Sequence, residues 1–561
     1  MRSCLSKTRA KVGPTRRHAM GSPRPLGRTA AVRALGVVAA MHAGGCMVGP
    51  DYQRPEAALN QAWEARQDGL AGWSGEDSPG NARWWEAFND ATLTALVEAA
   101  HRQNLSLRVA GLRVIQARAA RGIAVGQFFP QTQEAFGGVD ANQVSANGAP
   151  NSGDRSYYTD SLGIQAAWEL DFWGKFRRGI EAADAELLLT VADYDAVLVT
   201  LASDVATSYI LIRSLDERLR VARANADLQS ETLELTLARF RAGAVSELDV
   251  STARATLANT QAFIPELEDS LRQVKLSLGV LLGRTPSSLD EELRPAPGAS
   301  GAVPQAPPMI AAGIPADLLR RRPDVRAAER LAAAQSARIG QATADLLPSI
   351  SIAGATGFTS STYEGGRRPD LGNIFDADSF AGFIGLQVNW PILNYGRIKG
   401  NVRVQDARYE QAVASYQETV LRAASDVESG LSSFLRSRER AEYLSEAVAA
   451  SVRSVELSLI QYRAGAVDFI RVNDAQTVLS QQQDGLIVSQ ASIALGAVRT
   501  YRALGGGWQV RAGREFIDDE TSERMRRRTD WGDVLGPDWP HGSDLGFSRP
   551  DEETPVSGDD Q

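Results

Sequence analysis

Arg-Phe-Arg-Ala-Gly-Ala-Val at 239–245 recurs, 222 positions later, as Gln-Tyr-Arg-Ala-Gly-Ala-Val at 461–467. Three other features recur at the same offset: Trp168 as Trp390, Gly174-Lys175 as Gly396-Arg397, and Leu282-Gly283 as Leu504-Gly505. Separated matches that keep one offset predict that a long structural unit was duplicated, with almost no net insertion since. The nature of this unit therefore decides the fold.

Each heptapeptide ends a long segment without proline, from Lys175 to Arg241 and from Arg397 to Arg463. Both segments carry a coiled-coil stripe, in which positions recur with alternating spacings of four and three and are mostly apolar. The stripe is Leu187, Val191, Tyr194, Leu198, Leu201, Val205, Ser208, Ile212, Leu215, Leu219 and Ala222 in the first copy, and Gly430 replaces Ser208 in the second. A helix of this length would extend for about 100 Å, far beyond the core of a globular domain.

The chain reverses direction at each heptapeptide. Gly243 and Gly465 supply the left-handed residue that ends a helix. Ser246 or Asp468 can then cap a returning helix, which extends to Leu282 or Leu504. The sequence thus predicts two long antiparallel hairpins, 175–282 and 397–504.

Strict alternation of apolar and polar residues precedes each hairpin. In 157–172 the even positions from Leu162 are apolar and the odd positions are mostly polar, and 380–391 keeps this phase. Such alternation predicts strands with one apolar face, long enough for a tilted membrane-spanning strand of about 9–11 residues. A further strand is expected before each, at 130–140 and 348–359. A soluble antiparallel sheet with one buried face is the alternative.

Four strands per chain constrain the assembly. Four strands do not close a barrel, an open sheet edge is not tolerated in lipid, and the smallest bacterial single-chain barrels have eight strands. The chain must therefore assemble into a closed ring of two or more copies. A plain coiled-coil rod is the alternative for the hairpins, and it is disfavoured because each rod is continuous with a strand pair.

The N-terminus predicts export. Residues 1–33 hold nine Lys or Arg and no acid, and an apolar run from Ala34 to Ala43 follows. Ala43-Gly44-Gly45-Cys46 resembles a bacterial lipobox, so 1–45 is predicted to be a signal peptide and Cys46 the lipidated first residue. The resemblance to such lipoproteins implies sorting to the outer membrane over retention in the inner membrane, because residue 47 is Met and not Asp. An ordinary signal peptide with an incidental cysteine, and translation from Met20, are the alternatives.

Composition excludes several classes of protein. The net charge of −8 becomes more negative without the basic leader, which disfavours nucleic acid as a partner. No stretch of about 18 apolar residues is expected after Cys46, hence no transmembrane helix. The histidines (His18, His42, His101 and His541) are isolated, and two cysteines give neither a disulfide framework nor metal-ligand spacing. We expect no metal or cofactor, and no enzyme, since catalytic motifs are also lacking.

Three ordered markers carry a family resemblance. They are Cys46-Met47-Val48-Gly49-Pro50-Asp51-Tyr52-Gln53-Arg54-Pro55, then Ile314-Pro315-Ala316-Asp317-Leu318-Leu319-Arg320-Arg321-Arg322-Pro323-Asp324-Val325-Arg326, and finally Leu504-Gly505-Gly506-Gly507-Trp508. Together with the duplication, they resemble the TolC-like outer membrane factor family, the outer membrane efflux lipoproteins of NodT/OprM type. The resemblance covers about 46–508.

The resemblance implies a mixed membrane fold. Three chains would form a homotrimer, with a 12-stranded transmembrane β-barrel continuous with a long periplasmic α-helical barrel. The trimer would sit in outer-membrane lipid and dock with a periplasmic adaptor protein and a proton-driven, RND-type inner-membrane pump. It would be a passive exit duct for small molecules. The alternatives are the duct of a type I protein secretion system and a non-conducting periplasmic coiled-coil tether.

The resemblance also places candidate functional residues at the hairpin ends. A periplasmic gate is expected at Asp474 and Arg471, with Asp249 as the first-copy counterpart of Arg471. Solvated helix-end charges are the alternative. Adaptor contact is expected at the exposed tips, whose residues are Arg241, Gly243, Val245, Arg463, Gly465 and Val467.

The chain divides accordingly into six parts. A lipidated N-terminal segment (46–89) follows the signal peptide. Repeat 1 (90–284) and repeat 2 (316–508) each comprise a helix, two strands and a helical hairpin. A proline-rich linker (285–315) joins them, and 509–561 is predicted to be a flexible polar tail.

Overall fold

The computed structural model describes residues 47–56, 63, 79–145, 147, 155–285, 289–294, 302–310, 321–361, 374–511 and 514–536. The predicted signal peptide, Cys46 and the end of the predicted tail lie outside the described residues. All described residues belong to one compact unit that begins at Met47.

The order helix, strand, strand, long helix, returning helix occurs twice along the chain. A 3₁₀ helix (Pro79–Phe88) and helix α1 (Ala91–Gln103) precede the first set, which is α2 (Leu105–Gly126), β1 (Thr132–Gln143), β2 (Ser156–Leu170), α3 (Lys175–Arg241) and α4 (Glu247–Leu281). The second set is α5 (Pro323–Ala344), β3 (Ser349–Ser361), β4 (Phe380–Asn389), α6 (Tyr395–Arg463) and α7 (Phe469–Ala503). Helix α8 (Asp519–Arg526) follows, between the 3₁₀ helices Trp508–Arg511 and Gly532–Leu535.

The four strands form one antiparallel sheet in the order β1-β2-β3-β4. Its register keeps like residues on one face: Ile350 pairs with Leu170 and Val388, and Ser351 pairs with Glu169 and Gln387. The apolar face is open in the single chain, where Ile384 is 83% exposed and Leu386 is 67% exposed. A soluble sheet would cover that face, so the soluble alternative is disfavoured.

The two hairpins pack along the predicted apolar stripe. In α3 the stripe residues Leu198, Leu201, Val205 and Ile212 are buried, and α6 buries the equivalent Val420, Ala423 and Val427. Gly430 brings α6 close to α7, since a Cβ atom at that position would lie 2.8 Å from Thr500 Oγ1. The small residue therefore sets a short distance between the helices.

Aromatic residues join the two halves near the middle of the long helices. Trp84 and Trp85 are almost fully buried against α1. The Trp84 ring stacks on Tyr501 of α7 with ring centroids 5.4 Å apart and an interplanar angle of 13°. This cluster ties the N-terminal helices to the returning helix of the second hairpin.

The two long helices begin differently. Before α3, Gly174 has φ 78° and the Asp171 carboxylate accepts hydrogen bonds from the backbone N–H groups of Phe176 and Arg177, at 2.9 and 3.0 Å. The same turn at Leu393–Gly396 does not form: a 3₁₀ helix, Ile392–Asn394, leads directly into α6. Gly174 adopts the left-handed conformation, which Gly396 does not, and a Cβ atom at Gly174 would also lie only 2.7 Å from the side chain of Met47, so both features require glycine there.

The returning helices also differ in their caps. Ser246 forms the predicted cap of α4, as part of a capping box with Asp249. Asp468 occupies the predicted N-cap position of α7, but its side chain makes no capping hydrogen bond, so that part of the prediction is wrong.

One stretch of α3 meets the length and composition of a membrane-spanning helix, and 67% of it is buried inside the protein. The expectation that no such apolar stretch follows Cys46 is therefore wrong. The burial shows that this stretch packs in the protein core, where continuous apolar sequence is also favoured.

The predicted flexible tail is ordered in part. Helix α8 buries Thr521 and Met525, and Ile517 and Met525 pack against Ile115 of α2. The guanidinium of Arg118 donates a hydrogen bond to Gly536 O at 3.1 Å. Residues 514–536 therefore dock onto α2, and the prediction is wrong there because a few spaced apolar residues suffice to anchor a polar segment.

The described parts of the proline-rich linker also pack against the helices. Leu289, Leu293 and Ile310 are buried in the main core. Arg213 of α3 donates a hydrogen bond to Leu293 O at 2.6 Å. The linker is thus fixed to the first hairpin along these residues.

His101 of α1 is a buried titratable group in this core. Its ring lies 5.7 Å from that of Trp85, and its Nε2 atom has no hydrogen-bond partner among the described residues. Burial, followed by repulsion from Arg514, lowers the pKa of His101 to about 4. The folded protein therefore favours neutral His101, whereas the unfolded chain binds a proton near pH 6.5.

We expect His101 to destabilise the fold as the pH falls below about 6.5. Between pH 7 and 4.5, wild type should lose about 2–3 kcal/mol more unfolding free energy than His101→Phe, which lacks the proton-binding group. Denaturant titrations followed by tryptophan fluorescence at both pH values measure this difference. Equal losses in the two proteins would contradict the assignment.

Candidate functional site

The hairpin tips have the same backbone geometry. Gly243 and Gly465 both have φ 75°. Ala244 N donates to Arg239 O, and Ala466 N donates to Gln461 O, both at 2.9 Å. A left-handed glycine with this hydrogen bond closes each helix as the sequence predicted.

The tip residues divide into exposed and packed ones. Arg241, Gly243, Arg463 and Gly465 are exposed. Val245 and Val467 are half-buried against a cluster formed by Ala253, Tyr462, Phe469 and Val472. The valines hold the turns onto the helices, so the surface available to a partner is the arginine and glycine part of each tip.

Arg239 joins the two tips, and the sequence analysis did not identify it. Its guanidinium donates a hydrogen bond to Tyr462 O and lies 4.5 Å from the centroid of the Tyr462 ring. The Tyr462 hydroxyl is 3.4 Å from Thr236 Oγ1 of α3. The available signal was a difference inside the repeated heptapeptide, where Gln461 replaces Arg239.

A polar seam extends from the tips along α3 and α7. It is formed by Arg218, Asn225 and Thr232, which are spaced by seven residues on α3. Arg218 binds Asp484 at 2.6 Å, Asn225 binds Gln483 at 3.0 Å, and Thr232 accepts from Gln476 at 2.8 Å. Along this stretch α3 and α7 are therefore joined by hydrogen bonds, and the apolar cluster at the tips lies beyond it.

The predicted gate residues are not brought together within one chain. Asp474 and Arg471 are exposed on the first turns of α7, and among the described residues neither makes an ion pair. Asp249 accepts hydrogen bonds from Ser246 N and Ser246 Oγ, both at 3.0 Å. Its carboxylate thus serves the capping box of α4, while Asp474 and Arg471 are free to meet solutes or other copies.

Two arginine contacts fix the middle of the molecule. Arg511 and Arg326 hold the fully buried Asp195 of α3, with shortest N–O distances of 2.6 and 3.6 Å. Burial raises the pKa of Asp195, and its hydrogen bond and attraction to Arg511 oppose that rise. Arg322 donates to Ala503 O at 2.6 Å, which ties the start of α5 to the end of α7. These contacts give the arginine-rich marker at 320–326 a structural role.

Comparison with known protein families gives a match to each half of the chain. The sequence model of the family described as "Outer membrane efflux protein" matches residues 96–284 and 314–506. The chain belongs to this outer membrane efflux protein family. Members of the family are channels of the outer membrane, as the sequence resemblance predicted.

Relatives in the family include outer membrane proteins of pyoverdine export and of solvent efflux. The pyoverdine export outer membrane protein OpmQ of Pseudomonas putida is 32% identical over 435 residues, covering 76% of this chain and 88% of the relative. The solvent efflux pump outer membrane protein SrpC of Pseudomonas putida is 31% identical, covering 85% and 99%. Nodulation protein T of Rhizobium leguminosarum bv. viciae is also 31% identical, covering 82% and 91%.

Solved structures share the fold. The outer-membrane channel OprN is 33% identical with a TM-score of 0.75, and the match covers 83% of this chain and 100% of OprN. CusC is 26% identical with a TM-score of 0.71, covering 82% of this chain and 100% of CusC. The matches span whole relatives, so both halves and both hairpins are part of the shared fold.

We expect Arg239→Gln to loosen the contact between the tips. Loss of the charged hydrogen bond and the cation–π contact should weaken local protection by about 1–2 kcal/mol, or roughly tenfold in amide exchange. Hydrogen exchange of residues 460–466 measures it. Arg463→Gln, an exposed arginine on the same turn, is the matched control. Unchanged exchange in Arg239→Gln would contradict the role of this contact.

Proposed function

We propose that three copies of this chain form the outer-membrane duct of an efflux system, through which small molecules leave the cell passively. One observation carries the proposal: an open four-stranded sheet with an exposed apolar face is continuous with two helical hairpins about 100 Å long. Three such sheets make a 12-stranded barrel, and six hairpins make a periplasmic tunnel beneath it. The two halves of each chain descend from one duplicated unit.

Lipid anchoring and partner contact are placed at opposite ends of the molecule. Cys46 is the proposed lipidated residue, and Val48, two residues further on, donates a backbone hydrogen bond to Trp173 O at 3.1 Å, beside the sheet. The hairpin tips lie at the other end of α3 and α6. A periplasmic adaptor protein would dock there, with an RND-type inner-membrane pump as the energy source. The names of the solvent and pyoverdine export relatives support small molecules as cargo.

The secretion alternative uses the same architecture with a protein as cargo. No observation on the described residues favours it over small-molecule efflux. A non-conducting tether is less consistent with the family, whose solved members include channels.

A ring of exposed Asp474 and Arg471 side chains would act as the periplasmic gate. In planar bilayers with a salt gradient, the reversal potential reports ion selectivity. Asp474→Ala should make the pore more selective for anions and Arg471→Ala more selective for cations, because each variant removes one sign of charge from the pore. The double variant should increase conductance several-fold. Arg436→Ala with Glu439→Ala, an exposed pair at 3.1 Å on α6, is the control and should behave as wild type. Absence of conductance from the double variant would refute the duct.

The shape of the tips should govern adaptor binding. Gly243→Val with Gly465→Val places a β-branched residue at φ 75° and strains both turns, so site-specific cross-linking to the adaptor should fall several-fold. Gly122→Val, in helix α2 with open space around it, is the matched control. If cross-linking persists in the double variant, the tips are not the docking site.

A further inference from the structure

A cavity of about 360 Å³ lies where the sheet meets the long helices. It is bordered by the starts of α3 and α6 and by the end of α5; we name it the junction cavity. Three of its four strand residues, Glu169, Ser349 and Asn389, lie on the polar face of the sheet, because Ser349 pairs with Asn389 and Ser351 pairs with Glu169; the fourth, Leu170, is the last residue of β2. The cavity therefore opens on the side that would face the interior of the proposed duct.

The charged groups around the start of α3 are paired with one another, and Lys175, Glu169 and Asp345 together keep one net negative charge. Lys175 Nζ lies 3.1 Å from Asp345 Oδ1 and 3.7 Å from Glu169 Oε1. Asp171 is bound by Arg177 Nε at 3.1 Å. Each of these acids thus has a cation, and Lys175 has two acids.

Arg397 occupies the place of Lys175 in the second half, and it is exposed with no partner among the described residues. The sequence explains why. The residues equivalent to Glu169 and Asp171 are Pro391 and Leu393, at the offset of 222 that relates Lys175 to Arg397. The second half therefore has no acid at the strand and turn positions that hold Glu169 and Asp171 in the first half.

Assembly would not supply the missing acid either. Asp345 is the residue that ends α5, and the residue that ends α2 in the same way is the neutral Gln127. Within one chain, α5 packs against α3. If α2 of a neighbouring copy packs against α6 in the same way, Gln127 of that copy would lie beside Arg397. Residues 119–133, around the end of α2, contain no acid. In this arrangement the end of α2 would bring no acid to the guanidinium of Arg397.

Apolar side chains border the cavity next to this charge. They include Leu347, Pro391 and Ile398, together with Trp173. An unpaired guanidinium offers two parallel N–H donors to a carboxylate or phosphate, and an adjoining apolar wall covers a hydrocarbon body. The combination selects for an anionic group with an apolar group attached.

We propose that the junction cavity is a binding site for organic anions, with the carboxylate or phosphate on Arg397 and the apolar body against Trp173, Leu347 and Pro391. The site gives the duct a second point of recognition, at its membrane end. The inference rests on the proposed function only for the route by which the anion arrives; binding itself depends on the residues of the cavity.

The test uses purified full-length protein in an uncharged maltoside detergent and 3-(4-fluorophenyl)propionate as the probe, followed by ¹⁹F NMR line broadening. Wild type should bind it saturably, and Arg397→Gln should weaken binding at least about tenfold, because a charge-assisted hydrogen bond is lost. Arg397→Lys should retain part of the affinity. Lys399→Gln is the matched control, since Lys399 lies over the Tyr395 ring at 4.5 Å and does not border the cavity.

A neutral probe, 3-(4-fluorophenyl)propan-1-ol, separates charge recognition from apolar partition. Equal binding of the alcohol, unaltered binding by Arg397→Gln, or no saturable binding by wild type would each overturn the proposal. Planar-bilayer recording of the same proteins keeps the two hypotheses apart. Conductance without anion binding refutes the site and leaves the duct, whereas binding without conductance refutes the duct and leaves the site.

Discussion

The outer edges of β1 and β4 have no strand partner among the described residues of one chain. In hydrocarbon, each unpaired backbone N–H and C=O group costs several kcal/mol, so a sheet that enters a membrane must be closed. The proposed trimer would meet this constraint, because it closes three sheets into one barrel. The exposed apolar side chains of β4 point to the same requirement, because the sheet has no core of its own to cover them.

Long-range periodicity made most of the fold predictable. Alternation over ten or more residues indicates a strand, and an apolar stripe over ten turns indicates a helix. Each pattern depends on many residues, so one exceptional residue does not change the prediction. The glycine turns at 243 and 465 were predictable because they end helices without competing contacts. The start of α6 at Gly396 was not predictable in this way: the sequence there resembles that at Gly174, but only Gly174 adopts the left-handed conformation, and only Gly174 has Met47 packed where a Cβ atom would lie.

The functional details depend on single contacts between distant segments, which no local pattern encodes. Arg239 meets Tyr462 across 223 positions, and Arg511 meets Asp195 across 316. Likewise, the docked segment after Arg511 is polar on average and is held by a few buried residues. The candidate gate residues were placed by resemblance, and the structure adds that the Asp249 carboxylate is already engaged in a helix cap.

The polar seam between α3 and α7 has a thermodynamic consequence. Exposing apolar surface raises the heat capacity, whereas exposing polar surface lowers it. Parting the hairpins along Arg218, Asn225 and Thr232 would exchange hydrogen bonds to Asp484, Gln483 and Gln476 for hydrogen bonds to water. Exposure of this polar seam would offset part of the rise in heat capacity that comes from exposing apolar side chains. The free energy of separating the hairpins along the seam would therefore curve less with temperature than that of separating them along the apolar stripe.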